Sequence, residues 1–171
     1  MISRVVFSRQ SDLWTTPPDL FAELDAEFHF GLDATATKAT ALCPQYFGPD
    51  HWKPYWRDAL VVKWNYVARV AFLNPPYSQC KAFMEKAAQE ARRGVTTVCL
   101  VPARTDTRWY HAHVWDRTRH RPYPGIQVRC LKGRLKFGGV VTKSGKPTGA
   151  PFPSLVVVFW GMDASLQPKR S

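Results

Sequence analysis

The amino-acid sequence predicts an α/β fold with a mainly parallel sheet and antiparallel strands toward the C-terminus. Apolar, strand-like runs at 69–73 and 95–101 lie on either side of a helical pattern at 79–93. Strands that alternate with helices are typical of parallel sheets. Further strand-like segments then follow each other along the chain without a helix between them, at 126–131, 134–137 and 155–160. That succession favours antiparallel pairing in the last part of the sheet.

The N-terminal third is predicted to contain one helix and several short strands. Pro17 and Pro18 open the helix, because proline suits the first helical positions. Its apolar residues fall on one stripe at helical spacing, at Leu20, Phe21, Leu24 and Phe28. Short strands are then expected at 28–33, 46–47 and 60–64.

The central segment gives the clearest helix, over 79–93, with small and apolar residues along one side. Gly94 is a suitable C-cap, because glycine tolerates the left-handed conformation that often ends a helix. The run 95–101 reads as a buried strand that Pro102 ends. A second helix is expected over 106–115 with Asp106 as its N-cap, and 138–153, with three prolines and four glycines, is expected to be a loop.

Length and composition bound the class of protein. The chain has 171 residues, of which 45% are hydrophobic and 22% charged, as expected of one globular domain with an ordered core over about 11–162. Residues 163–171 read as a basic tail. The four cysteines form no Cys-x-x-Cys pair and imply no disulfide, so Cys99, within an apolar run, is expected in the core. Neither a signal peptide nor a membrane span stands out, which makes the cytoplasm the expected compartment.

The net charge of +11 indicates a polyanionic partner. A strongly basic domain is the usual electrostatic footprint of nucleic-acid binding. A soluble basic protein with no such partner, or one bound at a membrane surface, remains open, although no basic amphipathic helix supports the membrane alternative.

The stretch Asn74-Pro75-Pro76-Tyr77 is the most informative in the chain. It lies between the strand-like run at 69–73 and the helix at 79–93, and ligands bind at the carboxyl ends of strands in open α/β sheets. The two prolines stiffen the turn and hold it extended. The Asn74 side-chain oxygen and the Pro75 carbonyl can then accept both hydrogens of a planar amino group, while the Tyr77 ring stacks on the base that carries it. The alternative is an ordinary strand-to-helix turn with Ser78 as N-cap.

This stretch resembles the catalytic motif of amino-directed methyltransferases. The wider series resembles the phage-type, Dam-like DNA N6-adenine methyltransferases of phages and prophages, and it covers about 12–160. Its segments are 14–17 (WTTP), 30–36 (FGLDATA), 46–47 (YF), 58–60 (DAL), Trp64, 72–78 (FLNPPYS), 100–107 (LVPARTDT), Trp109, 133–137 (GRLKF) and 154–159 (SLVVVF). The resemblance implies a compact Rossmann-like methyltransferase fold, S-adenosyl-L-methionine as cofactor, double-stranded DNA as partner, and a role in DNA methylation such as that of restriction–modification systems.

The resemblance also implies which residues hold the cofactor. Asp33 ends the first strand, where a carboxylate would meet the cofactor's amino group or ribose, but the usual glycine-rich turn is replaced by Ala34-Thr35-Ala36. The alternatives are that Thr16 caps the first helix, that Asp33 is only a turn residue, and that Asp58 is a surface charge. The expected cofactor-binding residues are Trp14, Thr15, Thr16, Pro17, Asp33, Ala34, Asp58 and Asn74.

A second set of residues is expected to face DNA. Basic side chains contact phosphates, and interleaved aromatic rings stack on bases. A solvated charged face is the alternative for each residue taken singly. The expected DNA-binding residues are Arg104, Thr105, Arg108, Trp109, Arg117, Arg119, Arg121, Arg134 and Lys136. No metal is expected, because His111 and His113 lack acidic neighbours and would not share a helix face.

The sequence therefore predicts an adenine-N6 DNA methyltransferase that flips its target base out of the duplex. Methylation of cytosine N4, RNA or a protein glutamine remains open, because each offers an sp² amino group. A non-catalytic DNA-binding domain of the same fold also remains open, given the missing glycine turn. The oligomeric state is unknown, with a monomer slightly favoured, and loops 104–121 or 138–153 would set the recognition sequence.

Overall fold

The computed structural model describes residues 14–137, 150 and 152–162. Three α-helices lie within these residues: α1 (Pro18–Phe28), α2 (Cys80–Arg92) and α3 (Arg108–His113). The strands are β1 (Leu32–Asp33), β2 (Val70–Leu73), β3 (Thr96–Pro102), β4 (Trp115–Asp116), β5 (Arg121–Pro122), β6 (Ile126–Cys130) and β7 (Ser154–Phe159). β4 and β5 form a separate antiparallel hairpin.

The other five strands form one mixed sheet in the order β1-β2-β3-β7-β6. β1, β2 and β3 are parallel neighbours, whereas β7 runs antiparallel to both β3 and β6. Four of the five strands therefore point the same way, and β7 is reversed. The α/β class and the antiparallel C-terminal strands are confirmed. The carboxyl ends of β1, β2, β3 and β6 meet at one edge of the sheet, here called the carboxyl edge.

Layers of apolar side chains cover both faces of this sheet. On one face, Phe72, Val98 and Val156 pack with residues of α1. On the other, Leu73 and Cys99 pack with α2, α3 and the segment 47–64. Because neighbouring strand residues point to opposite faces, β2, β3 and β7 are buried on both sides. The expectation that Cys99 lies in the core is confirmed.

Helix α1 begins as the prolines predict and ends at Phe28. His29 then adopts a left-handed conformation with φ 56°, which breaks the helix. The predicted strand over 28–33 is consequently reduced to Leu32–Asp33, because Phe28 still belongs to α1 and His29 caps its end. Gly94 follows α2 with φ +85°, as predicted for a helix terminator.

The strand predicted over 60–64 is wrong, and a buried charge explains why. The Glu90 carboxylate on α2 is fully buried and accepts a hydrogen bond from the Trp64 backbone N–H at 3.1 Å. Lys86 pairs with Glu90 at 2.7 Å and donates to the Val62 carbonyl at 2.6 Å. Side chains of α2, rather than a neighbouring strand, therefore satisfy this backbone, which ends in a 3₁₀ turn over Trp64–Tyr66.

Three other elements are smaller than predicted. Tyr46 makes only an isolated bridge to Asp33, and 134–137 forms no strand. α3 spans six residues, and Thr107 is its N-cap in place of Asp106. Most of the predicted loop 138–153 lies outside the described residues.

All four cysteines lie within the described residues and none forms a disulfide; Cys130 is exposed. No helix within the described residues is long and apolar enough to cross a membrane.

Candidate active site at the carboxyl edge

Asn74 follows β2 at the carboxyl edge, where hydrogen bonds to Trp14, Thr16 and Thr35 hold it. Its side-chain Nδ2 donates to the Trp14 carbonyl at 2.8 Å and to Thr16 Oγ1 at 3.0 Å. Its backbone carbonyl accepts from the Thr35 hydroxyl at 2.9 Å. Segments before α1 and after β1 therefore fix both the backbone and the side chain of Asn74.

These contacts decide which way the Asn74 amide faces. A backbone carbonyl accepts hydrogen bonds and cannot donate them, so the end of the amide beside Trp14 must be the nitrogen. The Oδ1 atom points away from Trp14, and no described residue donates a hydrogen bond to it. Asn74 is thus a preoriented acceptor at the end of a buried strand.

The residues after Asn74 form the stiff turn that the sequence predicts. Pro75 is buried, and Pro76 is extended with φ −52° and ψ 127°. A 3₁₀ turn over Tyr77–Gln79 then leads directly into α2. The turn places Tyr77 beside Asn74 at the same edge.

Tyr77 belongs to an aromatic cluster formed by Trp14, Tyr77, Phe137 and Phe152. Trp14 and Tyr77 lie nearly parallel, with ring centroids 6.2 Å apart and an interplanar angle of 22°. Phe152 meets the Tyr77 ring edge-on at 5.0 Å, and Phe137 meets Trp14 edge-on at 5.3 Å. The cluster brings side chains from both ends of the chain onto the turn that follows β2.

Two polar atoms of this cluster are buried without a hydrogen-bond partner among the described residues: Trp14 Nε1 and Tyr77 Oη. Burial raises the pKa of Tyr77, so its hydroxyl stays protonated at neutral pH. An unpaired buried donor costs about 1–3 kcal/mol. Such atoms next to Asn74 mark a place where a polar ligand would regain the lost hydrogen bonds.

Asp33, at the end of β1, organises the following loop. Its carboxylate accepts hydrogen bonds from the backbone N–H groups of Thr35 at 3.3 Å and Leu42 at 3.1 Å. The side chain is 3% exposed, and burial raises its pKa to about 6 despite those two bonds. Ala34 beside it is fully buried. Asp33 thereby fixes Thr35, whose hydroxyl holds Asn74.

The other residues expected at the cofactor divide into two groups. Trp14 and Thr16 contact Asn74 directly, and Thr15 beside them is exposed. Helix α1 begins after Pro17 with no side-chain cap, so Thr16 bonds to Asn74 instead of capping the helix. Asp58 is exposed, and its carboxylate accepts from the Leu60 N–H at 2.9 Å, so it closes a local turn.

Comparison with known proteins identifies the family. The family model described as DNA N-6-adenine-methyltransferase (Dam) matches residues 5–167 of the chain. The chain belongs to the Dam family. It is also 27% identical, over 100 residues, to the DNA N-6-adenine-methyltransferase of Escherichia phage T1. That match covers 58% of this chain, and the chain spans only 39% of the length of the phage protein.

Several basic residues of this Dam-family chain lie around Asn74. Arg104, Thr105 and Arg108 are exposed in the segment that follows β3 at the carboxyl edge. Arg134 and Lys136 are exposed on the segment after β6 and adjoin Phe137 of the aromatic cluster. These five exposed side chains follow strands that end at the carboxyl edge, as Asn74 does; their contact with DNA remains a prediction.

Trp109 does not lie on that surface. It is 7% exposed and packs in the core of the Dam-family chain with Tyr110 and Val114. Trp109 lies on the face of α3 that points into the core. The residue at which the helix begins determines which of its side chains face inward. The expected stacking of Trp109 on a base is therefore wrong for this conformation, because its ring would have to leave the core.

Arg117, Arg119 and Arg121 are exposed on the β4–β5 hairpin, which follows the C-terminal end of α3. The hairpin leaves α3 beside a cavity of about 620 Å³. Residues from the C-terminal half of α2 and from the ends of β6 and β7 opposite the carboxyl edge line this cavity, among them Arg92, Ile126 and Phe159. Arg119 also pairs with Asp116 at 3.1 Å. The structure thus separates the hairpin from the carboxyl edge.

Sequence reasoning missed Phe137 and Phe152 as site residues. Phe137 directly precedes the Gly- and Pro-rich stretch 138–153, and Phe152 lies near its end; an aromatic residue at each end of that stretch is the signal that would have identified them. Thr35 was expected only as part of the segment that replaces the glycine-rich turn, whereas its hydroxyl fixes the Asn74 backbone.

Proposed function

We propose that this chain methylates the N6 amino group of adenine in double-stranded DNA, with S-adenosyl-L-methionine as methyl donor. Membership of the Dam family and the net charge of +11 support the reaction and the nucleic-acid substrate. The observation that carries the proposal is the fixed orientation of the Asn74 amide.

Asn74 would act as the preorganised acceptor for the amine. Its Nδ2 is held by Trp14 and Thr16, so Oδ1 faces outward without having to reorient during the reaction. Accepting an N6 hydrogen draws electron density toward the nitrogen and aims its lone pair at the methyl group. The Pro75 carbonyl would accept the second hydrogen. Dipoles that are fixed before the reaction stabilise developing charge most effectively.

The cofactor fits the surroundings of Asn74. S-adenosyl-L-methionine supplies a methyl group on a positively charged sulfur. Thr15, Thr16 and the uncapped N-terminus of α1 after Pro17 would receive its carboxylate, because exposed helix N–H groups bind anions. Trp14, Ala34 and Asn74 would line the same space, and Asp33 would contact the cofactor or fix the loop that does. A ribose contact by Asp58 remains a prediction.

The fold supports this arrangement. We infer a single Rossmann-like methyltransferase domain, because parallel β1, β2 and β3 bring Ala34, Asn74 and Arg104 to one edge. The same sheet carries antiparallel β7 beside β3. The cytoplasm, of a bacterial host if the chain comes from a phage or prophage, is the compartment we propose.

The target adenine would have to leave the duplex, because its amino group is inaccessible within the base stack. Tyr77 would stack on the flipped base at Asn74. Trp14 Nε1 and Tyr77 Oη, which are buried beside it without a hydrogen-bond partner in the described part of the chain, would supply donors for a polar ring. For the base to enter, Phe152 must separate from Tyr77, since their centroids are now 5.0 Å apart.

The experiment replaces Asn74 and measures transfer and binding separately. Asn74→Ala should slow methyl transfer by about 100-fold or more, because one preorganised acceptor is lost. Binding of S-adenosyl-L-methionine, followed by calorimetry, should largely survive. Mass spectrometry of digested DNA identifies the product, N6-methyladenine or N4-methylcytosine. Transfer within a few-fold of wild type would remove Asn74 from the mechanism.

Thr16 offers a matched pair of variants for the same assay. Thr16→Val keeps the shape but removes the acceptor for Asn74 Nδ2, whereas Thr16→Ser keeps the acceptor. We expect the valine variant to be slower and the serine variant to remain near wild type. A wild-type protein that binds DNA but neither binds nor uses the cofactor would favour a non-catalytic DNA-binding domain.

A further inference from the structure

The segment 51–57, here called the aromatic loop, exposes large rings to solvent. Trp52 is 76% exposed and Tyr55 is 64% exposed. Single exposed apolar residues are normal on protein surfaces. Here, however, two rings lie three residues apart next to basic side chains. The Lys53 Nζ lies 5.0 Å from the Trp52 ring centroid, and Arg57 is exposed at the end of the loop.

Buried side chains and hydrogen bonds fix the conformation of the aromatic loop. His51 is 4% exposed, and its carbonyl accepts from Arg57 Nε at 2.8 Å while its Nδ1 accepts from the Lys53 N–H at 3.0 Å. Trp56 is buried against Phe47, with ring centroids 5.4 Å apart. The exposed rings are therefore carried by an ordered support, so binding a partner costs little conformational entropy.

Contacts connect the aromatic loop to the carboxyl edge. The Gly48 N–H donates to the Trp56 carbonyl at 3.1 Å. Gly48 also approaches Ala36 so closely that an added Cβ would lie 1.6 Å from the Ala36 carbonyl oxygen. Residue 36 follows Thr35, whose hydroxyl binds the Asn74 carbonyl. The loop thus adjoins the segment that leaves β1.

The order of the strands then places Asn74 between two surfaces. β2 lies between β1 and β3, so the end of β2 at Asn74 is flanked by the segments that follow its two neighbours. Arg104 and Arg108 follow β3 on one side. The aromatic loop, connected through Ala36 to β1, lies on the other side.

We propose that the aromatic loop is a second DNA-binding surface, on the β1 side of the active site. This inference rests on the proposed DNA substrate. Trp52 and Tyr55 would stack on bases next to the extruded adenine, and Lys53 would contact the phosphate backbone. Aromatic rings interleaved with basic residues suit this partner, because extrusion of the adenine uncovers a face of each neighbouring base on which a ring can stack.

The test measures the binding of a fluorescein-labelled duplex with one mismatched adenine, by fluorescence anisotropy in the presence of S-adenosyl-L-methionine. The double variant Trp52→Ala/Tyr55→Ala should bind about tenfold more weakly or worse, in line with the usual contribution of base stacking. Trp52→Phe/Tyr55→Phe should recover most of the affinity. Thermal melts check folding, and calorimetry should show unchanged cofactor affinity.

Tyr66 supplies the matched control. It is 77% exposed and also lies near a lysine, with Lys63 Nζ 5.7 Å from its ring centroid. It precedes β2 and therefore lies toward the opposite edge of the sheet. Tyr66→Ala should bind DNA like wild type.

Three outcomes would overturn the inference. Equal affinity of the wild type and the Trp52→Ala/Tyr55→Ala variant would show that the loop does not contact DNA. A variant that binds DNA normally but changes its sedimentation would make the loop a self-association surface. Failure of the wild type itself to bind the duplex would overturn the proposed function together with the inference.

Discussion

At the scale of single residues, Asn74 shows how side chains and backbone from separate segments of the chain combine to fix one residue. Trp14, Thr16 and Thr35 come from two segments distant in sequence, and each contributes one hydrogen bond to Asn74. The two bonds to Nδ2 determine which end of the amide faces outward. The chemistry of the motif therefore depends on residues outside it.

Asp33 gives a prediction about pH. Burial raises its pKa from the ordinary value near 3.8 to about 6. The folded protein therefore binds the Asp33 proton more tightly than the unfolded chain does. The resulting contribution to the free energy of unfolding is complete below about pH 4 and is lost as pH rises through 6. A shift of that size corresponds to roughly 3 kcal/mol. Asp33→Asn should flatten this part of the pH dependence of the free energy of unfolding.

Urea unfolding between about pH 4 and 7.5 tests this expectation. Asp58→Asn is the control, because Asp58 is exposed and asparagine can keep the bond to the Leu60 N–H. Near neutral pH the Asp33→Asn variant loses one backbone hydrogen bond but no longer buries a charge. Its free energy of unfolding should therefore differ little from that of wild type. A variant with the same pH dependence as wild type would contradict this account of Asp33.

At the scale of elements, the sequence predicted the long, periodic segments and failed where side chains replace backbone partners. α2, β3 and β7 appear close to their predicted bounds, because their apolar patterns face layers that cover the sheet. The segment 60–64 has an apolar pattern too, but Glu90 and Lys86 bind its backbone. Propensity and periodicity contain no information on a partner about 25 residues away.

The same distinction holds for the site. Asn74 and Tyr77 were predictable because the motif is local and follows a strand. Phe137 and Phe152 were not, because they reach the site through the pairing of β6 with β7. Trp109 was misassigned because an aromatic residue within a basic run has the same sequence pattern whether it faces DNA or the core.

The buried Glu90 network yields a prediction about stability. Glu90→Gln can keep a bond to the Trp64 N–H but leaves Lys86, 5% exposed, without its counter-charge. Breaking a buried ion pair typically costs about 3–5 kcal/mol. Urea unfolding should show a loss of this order, whereas Glu85→Gln on the exposed side of α2 should change little. Equal, small losses in both variants would show that the network contributes little stability.

At the scale of the whole molecule, charge and topology would make separate contributions to the proposed DNA binding. The net charge of +11 would attract any polyanion such as DNA to the entire surface, whatever the position of each residue. The sheet then concentrates part of that charge at the carboxyl edge, where β3 and β6 lead to Arg104 and Arg134. Arg117 and Arg121 contribute the same charge from the hairpin that leaves the body near the opposite edge.

Two charge-matched variants separate these contributions. Arg104→Gln/Arg134→Gln and Arg117→Gln/Arg121→Gln each remove two positive charges. The logarithm of the binding constant falls linearly with the logarithm of the salt concentration. The slope of this line becomes shallower by about 0.9 for each phosphate contact that is lost. The carboxyl-edge pair should therefore reduce that slope by roughly 1.8 and weaken binding to every duplex sequence alike, because phosphate contacts carry no base information. The hairpin pair should leave the slope near that of wild type. Anisotropy titrations over a range of salt concentrations measure both, and equal losses would mean that the field of the whole chain, rather than the edge around Asn74, holds the DNA.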